Sequence, residues 1–309
     1  MRISDSKARV KVGTGADFQP RSWKWHAQRV LVLARRKPLG AISAIVLLVL
    51  VGLALLAPFI SPFDPQQPSF GDIYHSPSYK HWFGTDELGR DVLSRIMYGS
   101  RISLYVGFGA VSLAVMAGTL IGSIGGYFGG IIDAIIQRIV DSWMAFPALV
   151  LAMTLRTVLD PSVHITLLVI AIVMVPLVAR IARGATLAGK NNVYVEAAGA
   201  LGASHYRIML VHIFPNIVAP VIVIASLLLG SAIILEASLA FLGLGAPPNI
   251  PSWGNMIRQG RDSLQTAWWL AAVPGLAISV AVFSLNLLGD AVRDLLDPKL
   301  HGLSGARFG

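Results

Sequence analysis

The sequence predicts an all-α, polytopic membrane protein with about six transmembrane helices and both termini cytoplasmic. Three observations predict it. Only 13% of the 309 residues are charged while 55% are hydrophobic, against about a quarter charged in a typical soluble domain. The apolar residues are gathered into long blocks, and about 20 such residues suffice to cross a hydrocarbon core as a helix. Lys and Arg also fall unevenly on alternate loops, the bias that orients membrane helices.

Residues 1–38 are a polar, basic tail. Between Ser22 and Lys37, Trp23, Trp25, Val30, Leu31 and Leu33 mix with Lys24, Arg29, Arg35 and Arg36. That mixture suits a short helix lying on membrane lipid, and a disordered tail with one basic cluster accounts for it equally well. The first apolar block begins near Leu39 and is too long and too late for the core of a cleaved signal. It reads as a retained anchor spanning 40–60, closed by Pro58, Pro62, Pro65 and Pro68.

The uncharged run Ile102 to Ile132 holds a second span at 103–126. Within it Gly118 and Gly122 have the small-xxx-small spacing that lets helices approach closely. A third span is placed at 136–157. Only Ser142 to Leu155 is free of charge there, so the span takes in Asp141 and Arg138, which stand at i, i+3 and are expected to pair. A fourth, at 162–182, is closed by Arg180 and Arg183; a fifth lies at 214–236. The sixth, at 267–289, opens on Trp268 and Trp269, read as an interfacial aromatic anchor. The division is a tail at 1–38, a transmembrane domain at 39–292 and a cytoplasmic tail at 293–309.

The net charge of +9 would suggest nucleic acid in a soluble protein, but ten of the basic residues sit in the tail before the first span. With the N-terminus inside, the cytoplasmic segments hold those ten plus Arg138, Arg180, Arg183, Lys190, Arg207, Arg293, Lys299 and Arg307. The opposite side keeps Lys80, Arg90, Arg95, Arg101, Arg156, Arg258 and Arg261, a division of 18 against 7. No nucleic-acid partner is expected.

Several chemistries are set aside. The chain has no Cys, so thiol catalysis, disulfides and thiolate metal sites are absent. The seven His show no tight ligand spacing; His75 and His81 form the nearest outer pair and read as polar loop residues. The run from Gly184 to Gly189 and Lys190 matches a phosphate loop until Asn191, which replaces the Ser or Thr that would hold magnesium. It also follows an apolar helix and not a strand. No catalytic residue and no metal ligand is expected in this chain.

One polar loop stands out. Tyr194, Glu196, Ala197, Ala198, Gly199, Leu201, Gly202 and Ala203 lie in a run of small residues that ends, after His212 and Phe214, at Pro215. Small side chains make a slim helix able to dock in a groove of another protein. Glu196 sits near its start, where negative charge is favoured, and Gly202 permits a turn toward the next span. This loop resembles the cytoplasmic Glu-Ala-Ala loop of ABC-type import permeases. His212 and Phe214 depart from the general pattern in the manner of the peptide-transport branch. The stretch 81–101, the stretches Leu239 to Pro248 and Pro251 to Gly254, and Gly289 to Pro298 resemble the same branch, which covers dipeptide, oligopeptide and nickel permeases, C-type subunit.

The resemblance implies a bacterial inner-membrane subunit without ATPase activity, paired with a homologous B-type permease. It also implies two ABC ATPase subunits carrying ATP and Mg, and an extracytoplasmic substrate-binding protein. The loop residues named above would couple to the ATPases. Glu236 and Asp141 are candidate path residues, since an ionisable group at membrane depth is a functional candidate; for Glu236 a helix-end residue wetted from outside is the favoured reading of the two. The expected cargo is a di- or oligopeptide, with nickel, glutathione or opine-like compounds as alternatives within the same architecture. A stand-alone secondary transporter or channel is the rival, though deep charges in several spans and inverted repeats are not seen.

Overall fold

In the computed structural model, which describes residues 38–296, the regular elements are helices, with one isolated bridge between Thr85 and Asp91. The proposed surface helix at Ser22 to Lys37 and the end of the C-terminal tail lie outside the described residues. The elements are α1 (Pro38–Ile60), α2 (Val92–Phe128), α3 (Gly130–Met144), α4 (Ala148–Val158) and α5 (Val163–Lys190). After them come α6 (Val193–Ala200), α7 (His205–Phe241), α8 (Trp253–Gly260) and α9 (Trp269–Leu296). Among the described residues five helices, α1, α2, α5, α7 and α9, are long and apolar enough to cross a membrane. The bent pair α3–α4 makes a sixth if counted as one span.

Apolar character on nearly all sides is what a helix in lipid requires. In α1, Leu48, Leu55 and Phe59 face outward, while Leu47 and Ala54 pack on Leu104, Ile233, Ala281 and Leu285. The helix runs past Pro58 and stops at Ile60, because a proline in a last turn displaces few backbone hydrogen bonds. The centre is the contact of α2 with α5 and α7: Val106, Ala110 and Ala114 meet Ile170, Val178, Ala232 and Leu239. The expected close approach at Gly118 and Gly122 is present. A methyl on Gly118 would lie 2.6 Å from Val178 Cβ, and one on Gly122 would collide with the Ala179 carbonyl.

The third span differs from expectation. Positions 136–157 do not form one straight helix; they divide between α3 and α4, which meet at 88°. Pro147 is the cause. It has no N–H to continue the ladder and disfavours helical geometry at Phe146. The expected pairing of Arg138 with Asp141 also gives way, because Asp141 instead accepts from Arg180 of α5.

The bundle has two polar ends. At one, the chain between α1 and α2 meets α8 and the start of α9: Trp269 Nε1 donates to the Thr85 carbonyl at 3.2 Å. At the other, the end of α2 meets α6 and the start of α7, where Tyr127 Oη and His205 Nδ1 lie 2.7 Å apart.

Candidate functional site: the α6 turn and the buried Glu236

Eight residues, Val193 to Ala200, small or apolar apart from Tyr194 and Glu196, form α6 directly after α5. Its end is a Schellman motif. Gly202 has φ +82°, its N–H donates to the Gly199 carbonyl at 2.9 Å, and the Ala203 N–H reaches back to Ala198 at 3.0 Å. Only glycine adopts that φ without strain. Ser204 then caps α7 by accepting from the Arg207 N–H. The turn is thus fixed by its own backbone bonds.

Its inner side is anchored. Val195 is buried with Tyr127, Ile208, Ile213 and Ile217. Asn216 Nδ2 donates to Tyr194 Oη at 2.9 Å, tying α6 to α7. A π turn at Ile208–Ile213 precedes Pro215, absorbing a residue that cannot donate a helical bond. The outer side is bare: Val193 is 80% exposed, Leu201 88% and Tyr206 76%. Glu196, Ala197 and Gly199 are exposed as well, and Ala198 and Ala203 partly so. Large apolar and aromatic side chains thus stand in the open on that side of the turn. The phosphate-loop look-alike is helical, within α5, and its Lys190 Nζ donates to the Tyr127 carbonyl at 2.7 Å. No phosphate cradle exists there.

The other end carries a buried polar cap. Asp91 caps α2 by accepting from Ser94, and its second oxygen lies 2.9 Å from His81 Nδ1. Asp86 pairs with Arg90 at 2.7 Å and lies 3.5 Å from Arg95, whose Nη2 donates to Gln259 of α8 at 2.8 Å. The exposed Lys80 donates to the half-buried Asp72, holding that carboxyl below its usual range. His81 is therefore a buried structural partner, not the polar loop residue expected. Trp269 is buried too, leaving Trp268 as the exposed member of the aromatic pair. Among the described residues no group of three or more His, Asp or Glu could hold a metal.

Glu236 belongs to this cap. It is 1% exposed, so the reading of a helix-end carboxylate wetted from outside is wrong. Ser103 of α2 donates to Oε2 at 3.1 Å, the Ser252 hydroxyl sits beside the carboxyl, and the Trp253 N–H bonds the same Ser103 oxygen at 3.4 Å. Asp141 stands far from it in role, exposed at the opposite polar end with Arg180. The two candidate path residues thus do not share a site. Ser103 and Ser252 were not singled out, since serines distant in sequence carry no signal of meeting. Arg156 likewise escaped notice as a clamp; it is buried, and its guanidinium donates to the Leu159, Asp160 and Gly245 carbonyls, joining α4 to the chain after α7.

Residues 118–302 match the family described as the binding-protein-dependent transport system inner membrane component. Residues 28–77 match the N-terminal transmembrane domain of oligopeptide transport permease C. The probable D,D-dipeptide transport system permease protein of Escherichia coli K12 is 39% identical over 94% of this chain and 97% of its own length. The di/tripeptide transport system permease protein of Pseudomonas aeruginosa is 40% identical, over 84% and 88%. A glutathione transport system permease protein of Escherichia coli O1:K1 is 39% identical, over 87% and 89%. Among solved structures, the methionine ABC transporter in an inward-facing form aligns with TM-score 0.55 at 16% identity, over 66% of this chain and 96% of that one.

Proposed function

Because this chain belongs to the family of inner-membrane components of binding-protein-dependent transport systems, a multi-pass permease, we propose that it is the C-type subunit of an ATP-driven importer of di- or oligopeptides. In this reading it pairs with a homologous B-type permease and two ABC ATPases that carry ATP and Mg. An extracytoplasmic binding protein delivers the cargo. Both termini and the α6 turn lie in the cytoplasm, in keeping with the bias of Lys and Arg. The peptide cargo rests on the relatives, which are named for dipeptides, di/tripeptides and glutathione.

The observation that carries the coupling role is the α6 turn. Tyr194, Glu196, Ala197, Ala198, Gly199, Leu201, Gly202 and Ala203 form a short, self-capped knob that is bare on one side and locked to α7 on the other. A partner that moves the knob moves α7 with it. For transport to follow, ATP and cargo must favour different states of the spans. Glu236 and Asp141 are kept as residues that shape those states rather than touch cargo.

The test is a pull-down of the tagged chain from mild detergent with an ATPase assay of the eluate. Recovery of a second permease and of ATPase subunits supports the reading. Recovery of the chain alone without activity overturns it in favour of a stand-alone transporter.

A further inference from the structure

We propose that Asp133 and Asp141 are positioning residues for transport, latching α3 as a hinged strut against α5 in one state of the cycle. The proposal rests on the importer reading above. Helix α3 is hinged at both ends. It begins at Gly129 and Gly130, with φ +68° and +55° and nothing within 4 Å of where a side chain would start. It ends at Ala145 to Pro147, where the chain turns by 88° into α4. Two free-standing hinges are what a rigid body needs in order to swing.

Between the hinges, α3 is held to α5 by charge. Arg183 Nε and Nη2 donate to the two oxygens of Asp133 at 2.6 Å each. This is a bidentate fork, the strongest geometry available to such a pair. Two turns along α3, Asp141 accepts from Arg180, one turn before Arg183 on α5. Only Val140 of α3 is buried, and Ile131, Ile135 and Ile139 are exposed. Packing therefore contributes little to fixing α3, and the ion pairs supply its registration.

The arginines connect this strut to the α6 turn. Arg183 lies in the last two turns of α5, which leads through Asn191 and Asn192 into α6. The same stretch of α5 lies tight on α2: a methyl on Gly126 would sit 2.9 Å from the Arg183 carbonyl. A displacement of α6 thus reaches α5 and, through Arg183 and Arg180, α3. The bend of α4 beyond Pro147 borders a cavity of about 700 Å³ lined by Trp143, Phe146, Met174 and Leu235 among others. Swinging α3 changes the shape of that cavity.

The test uses the complete importer in proteoliposomes. Wild-type ATP-dependent uptake checks the importer reading by itself, and the ratio of variant to wild type checks the latch. Asp133→Asn and Arg183→Gln are expected to lower uptake per ATP hydrolysed by about tenfold, within the usual range for coupling between sites, with assembly retained. Exchanging the two, Asp133→Arg with Arg183→Asp, is expected to raise that ratio well above either single variant. This chain has no Cys, so spin labels at Ile135→Cys and Leu120→Cys, attached to the purified chain before assembly with its partners, report the α3–α2 distance. That distance is expected to change between nucleotide-free and ATP-trapped states. An unchanged distance, or single variants that keep the wild-type ratio, overturns the proposal.

Discussion

Gly122→Ala is expected to destabilise the bundle, although alanine is the better helix former. At this position the new methyl falls on the Ala179 carbonyl and within 2.9 Å of the Arg183 nitrogen. Both neighbours are backbone, so no side chain can rotate away. Helices α2 and α5 must part by about an ångström, since ordinary contact begins near 3.5 Å. Overpacking of this kind costs about 1–3 kcal/mol, and backbone neighbours place it at the upper end. The helical preference of Ala over Gly offsets about 0.8–1 kcal/mol. The net loss is about 2 kcal/mol. At about 2.1 cal/mol/K of unfolding entropy per residue, a chain of 309 residues shifts by about 1.5 °C per kcal/mol, and the midpoint falls by about 3 °C. Gly52→Ala in α1 is the control, because nothing lies within 4 Å of its methyl, and it should be neutral or stabilising. The assay is thermal unfolding of the purified chain in one detergent. Equal midpoints for the two variants would refute the close-packing argument.

Other outcomes follow from the same geometry. Ala198→Glu is expected to leave membrane insertion intact and abolish uptake by placing charge on the bare side of the turn, and Gly202→Glu to do so by charge together with backbone strain at φ +82°; normal uptake by either would remove the α6 turn from the coupling role. Asp91→Ala takes away the cap of α2 and the buried partner of His81; a lost cap alone costs about 1 kcal/mol, so a midpoint unchanged in thermal unfolding would contradict the cap. Glu236→Ala removes the acceptor of Ser103 in a site closed to water, at about 1–3 kcal/mol, while Glu236→Gln keeps an acceptor and should unfold closer to the parent; the comparison is made by the same melt.

The fold was written plainly in the long apolar blocks. Spans at 40–60, 103–126 and 214–236 lie within α1, α2 and α7 because in lipid an uncharged block of that length has no other stable form. The bend at Pro147 was harder to read, since one proline can kink, end or merely decorate a membrane helix. The α6 turn was legible because its requirements are local: small residues, a glycine at the left-handed position and a proline beyond. The polar cap was not legible. Glu236 meets Ser103 and Ser252 only after distant segments have docked, and His81 meets Asp91 only once the loop that carries both has closed on the Thr85–Asp91 bridge. Nothing in the spacing of Glu236 marks it as buried and not wetted. Asp141 was visible as a charge within the third span, yet its partner on α5, like that of Asp133, depended on the direction in which α3 leaves Gly130.

The central claim, that the α6 turn docks on an ATP-hydrolysing partner, is tested most directly by photo-crosslinking from Leu201, the most exposed apolar side chain of the turn. A photoreactive residue is placed at that position in the full chain, cells are irradiated, and the adducts are identified. An adduct with a nucleotide-binding subunit, weakened by Ala198→Glu, is the predicted result. Adducts with lipid alone, in membranes where the chain still supports uptake, would contradict it.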